Sequence, residues 1–158
     1  MKLLIPYLLF IGALCSPAQA RPGPIEKATV KLRQDILNQT RFVEVQRVGS
    51  HPAIEGYRVL AKQLLNEAQS RDLLTQFRQL PFERVTVGQC HEPGFALRLL
   101  DADKQLVAEI SLCWKCKNLR TTKNSLEPFR QYEEDFAANS KRGKAFQSYL
   151  DGIVPKPQ

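Results

Sequence analysis

Apolar residues recur along this chain with two periods, and each change of period marks a new element. From Ile25 to Gln39 the spacing places Ile25, Ala28, Leu32 and Ile36 on one helical face, with charges opposite. Phe42 to Val48 then alternates, with Phe42, Glu44, Gln46 and Val48 against Val43, Val45 and Arg47, which predicts a strand. Gly49-Ser50-His51-Pro52 reads as a turn, and Tyr57 to Leu60 as a second strand. A helix follows from about Asn66 to Gln79, its apolar face being Leu73, Leu74, Phe77 and Leu80; Pro81 ends it. Arg84 to Gln89 is a short alternating segment.

The clearest pattern lies between residues 95 and 112. Phe95, Leu97 and Leu99 alternate with Ala96 and Arg98, Asp101-Ala102-Asp103-Lys104 makes a polar turn, and Leu106, Ala108, Ile110 and Leu112 alternate again. Centring a hairpin on that turn pairs Leu99 with Leu106, Leu97 with Ala108 and Phe95 with Ile110, all on one face; a one-residue slip would split them. Helical spacing returns with Phe129, Tyr132 and Phe136, then Phe146, Tyr149, Leu150 and Ile153, with Ser125 and Ser140 as N-caps. The expectation is an α+β domain: an antiparallel sheet with a central hairpin (about 95–112) flanked by N-terminal, middle and C-terminal helices.

The first 20 residues add a compartment. Met1-Lys2 is a positive start, Leu3 to Leu14 an apolar run, and Ala18-Gln19-Ala20 a small-x-small cleavage signal, together a secretory leader. The run is too short to span a bilayer comfortably, and Arg-Pro-Gly-Pro follows it rather than a stop-transfer pattern, so no transmembrane span is expected in the mature chain. Cys15 invites a lipid-anchored alternative, but Leu14 is bulky where such sites want a small residue. Cleavage after Ala20 leaves 138 residues, one domain with flexible ends at 21–24 and 155–158. Without Lys2 the balance is 22 basic to 16 acidic residues, net +6; scattered as these are, they read first as ordinary surface charge, and as a partner they favour an unknown protein or an anionic cell-envelope component. No nucleic-acid motif accompanies the charge, and only Lys141-Arg142 with Lys144 is a tight basic group.

Chemistry concentrates at Cys90, His91, Cys113 and Cys116. Extending the hairpin outward sets residue 90 opposite roughly residue 115, with Cys90 and Cys113 on one face and Cys116 on the other. A Cys90–Cys113 bridge would contribute about 3.5 kcal/mol by chain entropy, against about 2 kcal/mol for Cys113–Cys116. The alternatives are a zinc site of Cys90, His91, Cys113 and Cys116, and a thiol-redox site resting on Cys-Trp-Lys-Cys. Zinc has only half of the usual doubled Cys-x-x-Cys spacing, and no amphipathic helix follows Cys116 as thioredoxin-like chemistry would need. His51, Asp101, Asp103 and Glu133-Glu134-Asp135 read as surface histidine, turn chemistry and a solvated helix face; Trp114 reads as core packing. No catalytic residue is expected and no hydrolase motif occurs.

GYRVLAKQLL at Gly56 to Leu65, CHEPGFALRLLDADKQLVAEISLCWKC at Cys90 to Cys116 and the closing Ile153-Val154-Pro155 resemble a family of small exported bacterial proteins of unestablished function. Its pattern is a cysteine, a proline two or three residues on, a hairpin, then cysteine-aromatic-x-cysteine; Trp114 stands where phenylalanine is usual. The resemblance implies bacterial export, to the periplasm, and a shared fold. The expectation is therefore an exported binding or interaction module stabilised by a cysteine cluster, with metal-binding or thiol-redox activity as the alternative.

Overall fold

The computed structural model describes residues 24–50, 57–85, 90–123 and 131–156. The expected leader, Cys15, His51 and the proposed Ser125 cap lie outside them. The chain runs α1 (Pro24–Gln39), β1 (Phe42–Ser50), β2 (Tyr57–Leu64), α2 (Glu67–Arg78), β3 (Phe82–Val85), β4 (Phe95–Leu100), β5 (Leu106–Cys113), β6 (Asn118–Lys123), β7 (Gln131–Phe136) and α3 (Lys141–Ile153). All seven strands form one sheet, in the order β2-β1-β4-β5-β6-β7-β3, and every pairing is antiparallel. It is the α+β architecture that the sequence predicts. No helix among the described residues is long and apolar enough to cross a membrane.

The helices pack on one face of the sheet, and the strand alternation decides which residues meet them. Val43 and Val45 of β1, Phe95, Leu97 and Leu99 of β4, Ala108, Ile110 and Leu112 of β5 and Leu119 of β6 are at most 1% exposed. Against them lie Ile36 and Leu37 of α1, Leu73, Leu74 and Phe77 of α2, and Phe146 and Leu150 of α3. α2 starts with a capping box: the Asn66 side chain accepts from the Gln69 N–H, and the Gln69 side chain accepts from the Asn66 N–H. Its buried Ser70 receives the Val43 N–H at 3.0 Å, tying helix to sheet. Arg47 is 6% exposed on the core side of β1; its guanidinium lies over Phe95, pairs with Asp151 and donates to the Val154 carbonyl.

Three expectations change. In α1 the buried stripe runs through Thr29, Ile36 and Leu37, with Leu32 half-buried and Ala28 exposed, so the helix is rotated from the apolar face first read. The stretch 131–136 is the strand β7, not helix. Positions 132 and 136 satisfy both a four-residue helical step and a two-residue strand step, and pairing with β6 and β3 decides for the strand. Glu134 is accordingly no solvated helix residue: at 4% exposure it pairs with Arg33 of α1. Beside this pair Thr29, Leu32, Ile36 and Thr121 line a cavity of about 10 Å³, room for one water.

The hairpin register also moves, by two residues: Leu99 faces Ala108, Leu97 faces Ile110 and Phe95 faces Leu112. One residue comes from a five-residue turn, since Leu100 pairs with Leu106, and the other from a bulge at Val107. Asp101 holds that turn by accepting the N–H groups of Asp103 and Gln105, both at 2.9 Å, while Lys104 takes a left-handed φ of 60°.

Candidate functional site

The site grows from the β5–β6 hairpin. β5 ends at Cys113, a turn of Trp114 to Lys117 follows, and β6 begins at Asn118, which pairs with Cys113. Lys117 has a left-handed φ of 59°. Trp114 falls on the core side, as expected, edge-on to Phe95 and Phe136 with centroids 5.7 and 5.4 Å away; its indole N–H donates to the Gly143 carbonyl. Alternation sends Ser111, Cys113, Asn118, Arg120 and Glu133 to the opposite face, which is helix-free among the described residues. The segment entering β4 crosses this face, anchored where the Gly94 N–H meets the Leu112 carbonyl at 3.0 Å. It delivers Cys90 and His91 to the hairpin.

The three cysteines among the described residues are free thiols and they converge. The Cys116 thiol lies within hydrogen-bond reach of both Cys90 and Cys113, and the Glu92 N–H is directed at the sulfurs of Cys113 and Cys116. Cys116 also gives its own N–H to the Cys113 sulfur at 3.0 Å. Strand extrapolation anticipated this meeting, but it placed Cys113 rather than Cys116 beside Cys90.

The environments separate the thiols. Burial, reinforced by the Cys116 contact, pushes the Cys113 thiol up to about 11. At Cys116 partial desolvation opposes ionisation, yet the hydrogen bonds from Cys113, Cys90 and the Glu92 N–H outweigh it and lower the pKa. Cys90 is raised, by its contact with Cys116 first and desolvation second. Reduced protein should therefore react with iodoacetamide fastest at Cys116, and at Cys113 only after denaturation. Timed alkylation with peptide mapping checks this, and early labelling of Cys113 would contradict its burial.

His91 turns both ring nitrogens to side chains of the hairpin strands. Its Nδ1 is 2.8 Å from Asn118 Oδ1, and its Nε2 is 2.6 Å from Ser111 Oγ. The Asn118 amide spends its N–H groups on the Cys90 carbonyl at 3.0 Å and on Glu133 at 2.6 Å. Asn118 is 0% exposed and has only its oxygen left for the imidazole, so His91 carries its proton on Nδ1 and turns a bare Nε2 to the Ser111 hydroxyl. Burial holds the His91 pKa below the usual range and keeps the ring neutral. Arg120, register partner of Ser111, donates to the second oxygen of Glu133 at 3.2 Å.

Both ring nitrogens of His91 are committed, and no three His, Cys, Asp or Glu side chains among the described residues are placed to hold a metal ion. Sequence reading located Cys90, His91, Cys113 and Cys116 but missed Ser111, Asn118 and Glu133. No motif marks them; only their parity on adjacent strands does. The chain matches no protein-family model, no curated protein and no solved structure.

Proposed function

We propose that this chain is an exported interaction module whose β5–β6 hairpin and β4 entry segment are locked together by a Cys90–Cys116 disulfide. The observation that carries the reading is the Cys116 thiol, in reach of Cys90 across 26 residues of chain. The secretory leader and the cysteine-pattern resemblance support an oxidising compartment, the bacterial periplasm. There a dithiol gives up two hydrogens and two electrons to a disulfide-donating oxidant. Cys113 remains a buried thiol. The partner is an acidic protein or an anionic envelope component, supported by the net positive charge and by Lys141, Arg142 and Lys144, exposed in the first turn of α3, which holds no acidic residue.

Chain entropy favours the long-range bridge, about 3.5 kcal/mol against about 2 kcal/mol for Cys113–Cys116. Protein recovered from the periplasm should show one free thiol, Cys113, and a Cys90–Cys116 peptide on non-reducing mapping. Cys90→Ser should lower the melting temperature by on the order of 10 °C. Three free thiols, or an unchanged melt, would remove the lock. The second reading, thiol exchange carried out by Cys116 itself, is favoured by the lowered pKa of that thiol. Insulin reduction that disappears in Cys116→Ser would select it over the structural lock.

A further inference from the structure

The geometry points to Ser111 as an activated hydroxyl that accepts an acyl or phosphoryl group from a small activated ester, with His91 as its general base. Four groups on the helix-free face carry the argument. Ser111 Oγ sits 2.6 Å from His91 Nε2, within the reach that proton transfer needs. Asn118 acts as a positioning residue: at 2.8 Å from Nδ1 it fixes the tautomer that leaves Nε2 basic, and Glu133 fixes Asn118 in turn. Arg120 stands directly across the β5–β6 ladder from Ser111, on the same face, with its guanidinium held by Glu133 at 3.2 Å. The order is nucleophile, base and orienter, drawn from β5, the β4 entry segment and β6, with Glu133 from β7 and Arg120 from β6 beside them.

In the reaction the Ser111 oxygen bonds to the carbonyl carbon while its proton passes to His91 Nε2. The carbonyl electron pair moves onto oxygen, and collapse expels the leaving alcohol, which takes the proton from His91. Water then attacks the acyl-serine by the same route, and the carboxylic acid departs. Ser111 is 8% exposed, which limits the site to small groups. The inference does not require the cysteine bridge, because none of the four groups is a thiol.

Diisopropyl fluorophosphate tests it directly: the serine oxygen bonds to phosphorus, fluoride leaves, and His91 takes the proton. The purified mature chain, both oxidised and reduced, should gain one adduct on the peptide containing Ser111. Its rate should climb with pH through a single deprotonation below the usual histidine range and then level off. Ser111→Ala should carry no adduct at an unchanged melting temperature. His91→Asn should slow labelling at least about a hundredfold and flatten the pH profile. No adduct on Ser111 in folded protein overturns the assignment, as does labelling of His91→Asn at the wild-type rate. Should His91→Asn fail to fold, the wild-type profile decides, and a rate constant from about pH 4 to pH 8 excludes a histidine base. Adduct formation in the reduced protein alone would keep the relay and discard the locked form of the site.

Discussion

Leu97→Asp is expected to leave the chain unfolded at room temperature, whereas Arg98→Ser, its neighbour on β4, is expected to cost under about 1 kcal/mol. Leu97 is 0% exposed at the centre of the sheet, between Val45 of β1 and Ile110 of β5, both buried themselves. Truncating such a leucine costs about 2–5 kcal/mol, and an unpaired carboxylate in its place adds several more. That reaches the whole stability of an ordinary domain, roughly 5–15 kcal/mol. Arg98 points the other way. Its side chain is 36% exposed and makes partly solvated pairs with Glu44 at 3.3 Å and Glu109 at 3.9 Å. Removing it leaves two carboxylates facing each other, which raises the Glu109 pKa beyond the rise that burial and then Glu44 already cause. Thermal melts monitored by circular dichroism decide the matter; similar melting temperatures for the two variants would show the face assignment to be wrong.

The same strand shows what a sequence can and cannot disclose. The face of the β4–β5 hairpin was legible because Phe95, Leu97, Leu99, Ala108, Ile110 and Leu112 repeat every two residues, and only even changes of register keep them together. Register itself was not legible. Its two-residue shift comes from a longer turn and a bulge at Val107, and neither interrupts the hydrophobic pattern. An odd shift would have set Leu97 on the face of Glu109, and burial of the core excludes that. β7 was misread for a related reason: Tyr132 and Phe136 fit either period, and the deciding information, pairing with β3 and β6, is long-range.

The candidate site divides along the same line. Cysteine is scarce enough that three residues flanking a hairpin already imply a meeting, so Cys90, Cys113 and Cys116 could be found from spacing. Which two sulfurs approach most closely depends on the left-handed Lys117 and on the path of residues 90–94, set by Gly94 against Leu112. Ser111, Asn118 and Glu133 are ordinary polar residues on ordinary strands. Only the finished sheet turns them to one face and lays His91 across them.

Gly143→Ala should destabilise the protein by about 3 kcal/mol, although helix propensity alone predicts a gain of roughly 0.5–1 kcal/mol from the same change. Gly143 lies in the first turn of α3, and its N–H caps onto Ser140 Oγ at 3.0 Å. A methyl group there would stand 2.5 Å from the Ala138 carbonyl oxygen and 2.6 Å from that of Ala137, well inside contact distance. Those carbonyls have little room to retreat. The Ala137 N–H is bonded to Pro81, the Ala137 carbonyl accepts the Ser140 N–H, and Ala138 is 1% exposed. The helix must therefore move instead. Moving it draws the Gly143 carbonyl off the Trp114 indole and Phe146 off Phe77, loosening the turn that presents Cys116. Gly152, in the last turn of α3, supplies the control: an added methyl meets nothing within 4 Å, so Gly152→Ala should hold or raise stability by up to about 1 kcal/mol. Melting temperatures should then part by on the order of 10 °C, Gly143→Ala below the parent and Gly152→Ala at or above it. Alkylation of reduced Gly143→Ala should also reach Cys113 sooner than in the parent, because the turn covering that thiol has lost its anchor. Two variants that melt together would mean that α3 does not approach residues 137–138 as closely as its first turn requires.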